Sequence, residues 1–137
     1  MPNTVTDPIA VLQAKLVKYP HVRHELAGNR IDIHPLDARG FRVSLIEHEP
    51  AARYTVAFEG WHEEFSDPAE VLECAVFGLS TGSRLEVWSR GHVDYRWTLE
   101  GQRGSEWVPV STVGLLFFPF WRRARVRYLQ NRVLEAA

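Results

Sequence analysis

Residues 53–100 read RYTVAFEGWHEEFSDPAEVLECAVFGLSTGSRLEVWSRGHVDYRWTLE, and the patterning inside this stretch decides the fold class. Tyr54, Val56 and Phe58 alternate with Thr55, Ala57 and Glu59, as in a strand buried on one side. Asp67-Pro68-Ala69-Glu70 then marks a helix start. Asp67 caps the first free N–H groups, Pro68 takes the position where a missing N–H costs nothing, and Glu70 is placed to reach back. Val71, Leu72, Ala75, Val76 and Leu79 share one helical face, with Cys74 and Phe77 at its margins. A helix is therefore predicted over 68–79, ended by Gly78 or Gly82.

Alternation returns after the helix, in Leu85 and Val87 and again in Val93, Tyr95, Trp97 and Leu99, so a hairpin joins residues 83–89 to 93–100. Two registers compete. A two-residue turn at Arg90-Gly91 sets Trp97 opposite Arg84 and Tyr95 opposite Glu86. A three-residue turn, Arg90-Gly91-His92, sets Leu85 opposite Trp97, Val87 opposite Tyr95 and Glu86 opposite Arg96. The second gives a uniform apolar face with opposed charges outside, and it is the one predicted. Gly60 interrupts the earlier strand, and a bulge or bend is expected there in preference to a very short hairpin.

Upstream, Phe41, Val43 and Leu45 alternate with polar residues. A four-residue loop, 49–52, then pairs Leu45 with Val56 and Val43 with Phe58. Asp7-Pro8 starts another helix, with Ile9, Leu12, Leu16 and Tyr19 at helical spacing and Pro20 as its end. Residues 20–40 carry a turn at 26–29 and a short edge strand at Ile31 and Ile33. Pro35, Asp37 and Gly40 then break regular structure, and so long a connection is either partly structured or part of a site. Downstream, a turn at 102–105 leads into a strand over 106–112. Pro109 cannot donate to a ladder, which places that strand at an edge or at a bulge. Residues 113–118 read as a further buried strand. Phe120, Trp121, Ala124, Tyr128 and Leu129 fit a terminal helix to about Leu134, whereas Ala124, Val126 and Tyr128 against Arg123, Arg125 and Arg127 fit a strand. The helix is taken. The expected fold is α+β: an antiparallel meander, β-β-α-β-β-β, with one helix on a sheet face and a helix at each terminus. One domain spans 1–137, divided into 1–40, 41–118 and 119–137.

A chain of 137 residues needs no disulfide or metal to hold a core. Its net charge of -1 gives no bulk attraction to nucleic acid or membrane. The single cysteine, Cys74, and the absence of an apolar leader in residues 1–9 lead to a cytoplasmic expectation. Residues 113–121 are too short to span a bilayer. Lysine occurs only at Lys15 and Lys18, so the cationic charge is nearly all arginine, which grips carboxylates and phosphates with a planar fork. Aromatics reach 12%, more than one helix can cover, and Tyr95, Trp97, Trp107, Phe117 and Phe118 are candidates for a second buried face. A symmetric homodimer is an economical way to bury it.

Candidate chemistry is sparse. His21, His24 and the downstream His34 are ligand-type residues, with Glu25 beside them, but Pro20 has just ended a helix and a solvated surface pair is the better explanation of the spacing. His62 and Glu64 share one strand face, and a catalytic role requires a pocket around them. Cys74 lies too deep in its helix for an activated thiol. Ser80-Thr81-Gly82-Ser83 follows a helix, whereas a phosphate loop precedes one. Trp121, Arg122, Arg123, Arg125, Arg127 and Tyr128, with Arg132 beyond, interleave arginine and aromatic residues as single-strand nucleic-acid binders and interfacial helices do. A cationic last helix complementing its own dipole is the plainer explanation. No catalytic residue, metal or cofactor is assigned. The expectation is a non-catalytic binding or assembly module capable of self-association. The alternatives are a small enzyme or small-molecule receptor using His21, His24, His34, His62 and Glu64, and a single-stranded nucleic-acid binder using the terminal arginines.

Overall fold

The computed structural model describes residues 6–50 and 53–135, and builds them into two helices and two antiparallel sheets. In chain order the elements are α1 (Pro8–Leu16), β1 (His24–Ala27), β2 (Arg30–Ile33), β3 (Val43–His48), β4 (Arg53–Phe58), β5 (Trp61–Phe65), α2 (Pro68–Leu79), β6 (Ser83–Arg90), β7 (Val93–Arg103), β8 (Glu106–Gly114) and β9 (Ala124–Leu129). One sheet runs β1-β2-β3-β4-β5 and the other β8-β7-β6-β9. The fold is thus mixed α+β and mostly strand, but the single meander expected from the sequence is replaced by two sheets.

Both helices begin where local chemistry predicts. The Asp7 carboxylate accepts the Ala10 N–H and that of Asp67 accepts the Ala69 N–H, with proline following each cap. α2 lays Val71, Leu72, Ala75 and Leu79 into the core. Gly78, expected to end the helix, lies inside it. A Cβ there would sit 2.3 Å from the Phe58 ring, so the glycine lets the helix backbone rest directly on β4. The β3–β4 register is as predicted, Leu45 facing Val56 and Val43 facing Phe58.

Four expectations are corrected. Ile31 and Ile33 are not on an edge, because β1 covers β2 and buries both side chains. Gly60 is not a bulge. Glu59 and Gly60 form the turn of a tight hairpin that sets Trp61 opposite Phe58 and stacks their rings at 4.8 Å. The reason lies far along the chain: a Cβ on Gly60 would strike the Trp97 indole at 2.3 Å, so this turn is pressed onto the other sheet. The β6–β7 register is shifted by two residues from the predicted one. Leu85 faces Leu99, Val87 faces Trp97, and Arg84 faces Glu100 in a 2.7 Å ion pair. Up to Trp88 a shift of two leaves the side chains on their predicted faces, whereas beyond it Ser89 faces Asp94 and Arg90 faces Val93, a shift of one. The ladder is irregular after Trp88, and the turn is Gly91-His92, with Gly91 at φ 60. Finally, residues 124–129 form β9, not a helix, pairing antiparallel with the otherwise open side of β6. The strand reading of Ala124, Val126 and Tyr128 prevails because it satisfies that backbone edge and places Leu129 over Leu85 in the core.

One cluster of buried side chains joins the sheets. Ile31, Val43, Leu45, Val56, Phe58 and Trp61 meet α1 and α2 on one side, and Leu85, Val87, Trp97, Leu99 and Leu129 on the other. The Trp61 indole N–H donates to the Ser111 hydroxyl at 2.8 Å, tying β5 to β8. β8 is an edge strand, as Pro109 requires, and its ladder with β7 is irregular between Leu99 and Glu100, beside the proline.

Candidate functional site

The histidines part company. β1 and β2 bring His24, Glu25 and His34 together around one recess, with His34 Nε2 3.1 Å from the Glu25 carboxylate. His21 stands outside, exposed and edge-on to Tyr19. His62 and Glu64 are exposed on β5, at the far edge of the same sheet. Among the described residues no three His, Cys, Asp or Glu side chains converge as metal ligands. Burial pushes the Cys74 thiol up to about 12, with Glu63 adding to the effect, so this side chain is a packing group.

The arginine-rich segment is also rearranged. Strand alternation sends Tyr128 and Val126 to the face that carries Arg84, and Arg125 and Arg127 to the opposite one, so the single mixed face of a helix does not form. Arg127 makes a bidentate pair with Asp94, both contacts at 2.8 Å. That pair holds the Asp94 carboxyl below its ordinary range and raises the guanidinium.

Just before β9 lies a feature whose residues had been expected in a buried strand. β8 ends at Gly114, and Leu115-Leu116-Phe117-Phe118-Pro119-Phe120-Trp121 forms a loop. Leu116 and Phe117 are each 90% exposed, Phe120 70% and Trp121 71%. Phe118 faces inward and stacks on Tyr95 at 4.2 Å. Arg90 donates to the carbonyls of Phe120 and Arg122, and the Leu115 N–H donates to Tyr95 O. The loop backbone is therefore braced from β6 and β7 while its apolar side chains face solvent. Arg122, Arg123 and Arg125 follow immediately, all exposed. Among the described residues none of the three has a carboxylate within ion-pair distance.

At the other end of β6 the outer sheet face carries an arginine held between two rings. The Arg84 guanidinium lies 4.5 Å from the Trp107 ring centre and 4.2 Å from that of Tyr128, while its Nε donates to Glu100 at 2.7 Å. The Tyr128 hydroxyl donates to Glu86, which also accepts the Trp88 indole N–H, and Arg96 covers the Trp88 ring. Beside Arg84 a recess of about 400 Å³ opens toward the 36–40 segment and residues 130–132. Sequence reading missed Arg84 because its neighbours come from three strands. The one local hint was the length of the 20–40 connection, whose Arg39 lines this recess.

Among the described residues no helix is long and apolar enough to cross a membrane. In comparison with known proteins, the chain matches no family model, no curated relative and no solved structure.

Proposed function

We propose that this chain is a non-catalytic cytoplasmic binding module that docks onto an anionic lipid surface through the 115–121 loop. The observation that carries the reading is the exposure of Leu116, Phe117, Phe120 and Trp121 on one braced loop, with unpaired arginines next in sequence. Apolar side chains left in water at this density mark an interaction surface. Seating each one fully in an apolar phase is worth about 1.5–3 kcal/mol, and each arginine near an anionic membrane adds about 1 kcal/mol. The shape favours lipid over a second copy. The apolar groups project from a loop, and a symmetric pairing would bring the same three arginines against one another. Single-stranded nucleic acid would attract the arginines and stack on Phe and Trp, but gives Leu116 no role.

Co-sedimentation with phosphatidylcholine vesicles, with and without phosphatidylglycerol, tests this. The protein is expected to bind the anionic vesicles, with a blue shift of Trp121 fluorescence. Leu116→Glu with Phe117→Glu removes two of the exposed apolar groups that seat in the lipid, a loss of about a hundredfold or more. Arg123→Glu with Arg125→Glu weakens binding and its dependence on salt. No binding to anionic vesicles, or binding unaltered in the loop variant, overturns the reading. Loop-dependent dimerisation without lipid replaces it with self-association. Arginine-dependent binding of single-stranded RNA that ignores the loop variant replaces it with the nucleic-acid alternative.

A further inference from the structure

The recess beside Arg84 points to a second site, independent of the loop. Arg84 and Arg90, which braces the loop, stand six residue steps apart on β6, so the two features lie roughly 20 Å apart along the strand at about 3.3 Å per residue. The recess is lined by three arginines, Arg39, Arg84 and Arg132, against one acidic residue, Asp37. Asp37 is turned to its own loop, where its Oδ1 accepts the Arg39 backbone N–H at 2.8 Å.

Arg84 is the built part of the site. Both faces of its guanidinium are covered, by Trp107 and Tyr128, and Glu100 takes its Nε–H. Among the described residues its two terminal amino groups have no acceptor. A planar cation with covered faces and one engaged edge offers its remaining edge to whatever enters the recess. That edge is the half of the fork that grips two oxygens of a carboxylate or phosphate. The walls are fixed as well. Asn131 is buried, accepting the Phe41 N–H and donating to the carbonyls of Phe41 and Gly78, and the Gln130 N–H donates to Arg39 O. Gly40 fits against Asn131 because a Cβ there would lie 2.5 Å from the Asn131 Oδ1. Arg39 and Arg132 are thus carried on backbone tied together before any ligand arrives, which lowers the cost of ordering on binding.

We propose that this recess binds a small oxyanion, a phosphate or a compact polycarboxylate, gripped by the free edge of Arg84 and flanked by Arg39 and Arg132. The test is titration of the full chain with inorganic phosphate and with citrate, followed by backbone amide NMR shifts and by calorimetry. Saturable binding is expected for at least one of them, with the largest shifts at residues 37–41, 84 and 130–132. The preferred probe tells phosphate from carboxylate chemistry. Arg39→Gln with Arg132→Gln alters only exposed side chains, and is expected to lower affinity about tenfold or more, the scale of one charge-assisted hydrogen bond. Arg84→Gln is expected to abolish binding, and because it also frees buried Glu100, its thermal melt is recorded alongside. Neither probe saturating, or the Arg39→Gln, Arg132→Gln variant binding as the parent does, overturns the proposal. Its outcome is separable from the vesicle experiment, since the 115–121 variants leave this recess untouched.

Discussion

Gly78 shows how one absent Cβ fixes the distance between layers. Alanine is a better helix former than glycine by about 1 kcal/mol, so local propensity alone favours Gly78→Ala. The added Cβ, however, would lie 2.3 Å from the Phe58 ring, itself clamped between Phe41 and Trp61. Relief requires α2 to lift from β4. Gly78→Ala is therefore expected to destabilise the fold by about 1–3 kcal/mol, the usual cost of overpacking, and urea unfolding would read this directly. A stability gain would show that α2 is free to shift. Gly78 also marks where sequence reading reaches its limit. A glycine late in an amphipathic helix reads as a terminator, and only the ring across the interface reveals that it is a contact.

At the scale of elements, the most legible features were those whose signals sit close together along the chain. The helix starts at Asp7-Pro8 and Asp67-Pro68 and the β3–β4 pairing all follow from neighbouring residues. The elements misread were those whose decisive partner is remote. The β4–β5 turn is set by Trp97, the β6–β7 register includes the Arg84–Glu100 pair, and β9 exists because β6 has an edge to fill. Both candidate sites belong to this second class: Trp121, Arg122, Arg123, Arg125, Tyr128 and Arg132 were legible as an arginine–aromatic cluster, but on a helix, whereas Leu116 and Phe117 read as part of a buried strand and Arg84 carried no site signal. β9 is secured at its end by Asn131, whose side chain makes hydrogen bonds to Phe41 N, Phe41 O and Gly78 O. Asn131→Ala leaves these buried groups without partners at about 1–3 kcal/mol apiece, so a loss of at least about 2 kcal/mol is expected. Amide exchange in β9 should accelerate ahead of that in β3 and β4. Uniform acceleration across all strands would show that β9 has no separate opening.

Across the whole molecule, a depressed carboxylate lies in each sheet, and together they shape the acid response. Asp32 on β2 is held low first by its hydrogen bonds from Arg30, with burial opposing and the Ser44 hydroxyl assisting. Asp94 on β7 is held low by Arg127, again against burial. A carboxyl whose folded pKa lies below its unfolded value, about 3.9, stabilises the fold fully above that value, and the contribution is lost as pH falls through the folded pKa. Stability is thus expected to be level near neutrality and to decline below about pH 4. Asp32→Asn and Asp94→Asn should each lower neutral stability by no more than about 1 kcal/mol after solvent screening and flatten the acid limb. Unfolding midpoints measured from neutral to acid pH check both. An unchanged acid limb in the double variant would place the acid response elsewhere.

Pro109 has a consequence for how this protein can associate. A sheet with an open outer strand is a template on which further chains add by backbone pairing, the growth mode of fibrils. In the middle of β8 the proline presents no N–H, and the ladder beside it is already out of step. An incoming strand would meet a missing rung and a local twist, so templated elongation from this side is blocked. The sticky 115–121 loop lies immediately after that guarded strand. The molecule can thus offer an apolar surface to a partner through side chains while the strand that leads into that loop is guarded against backbone pairing.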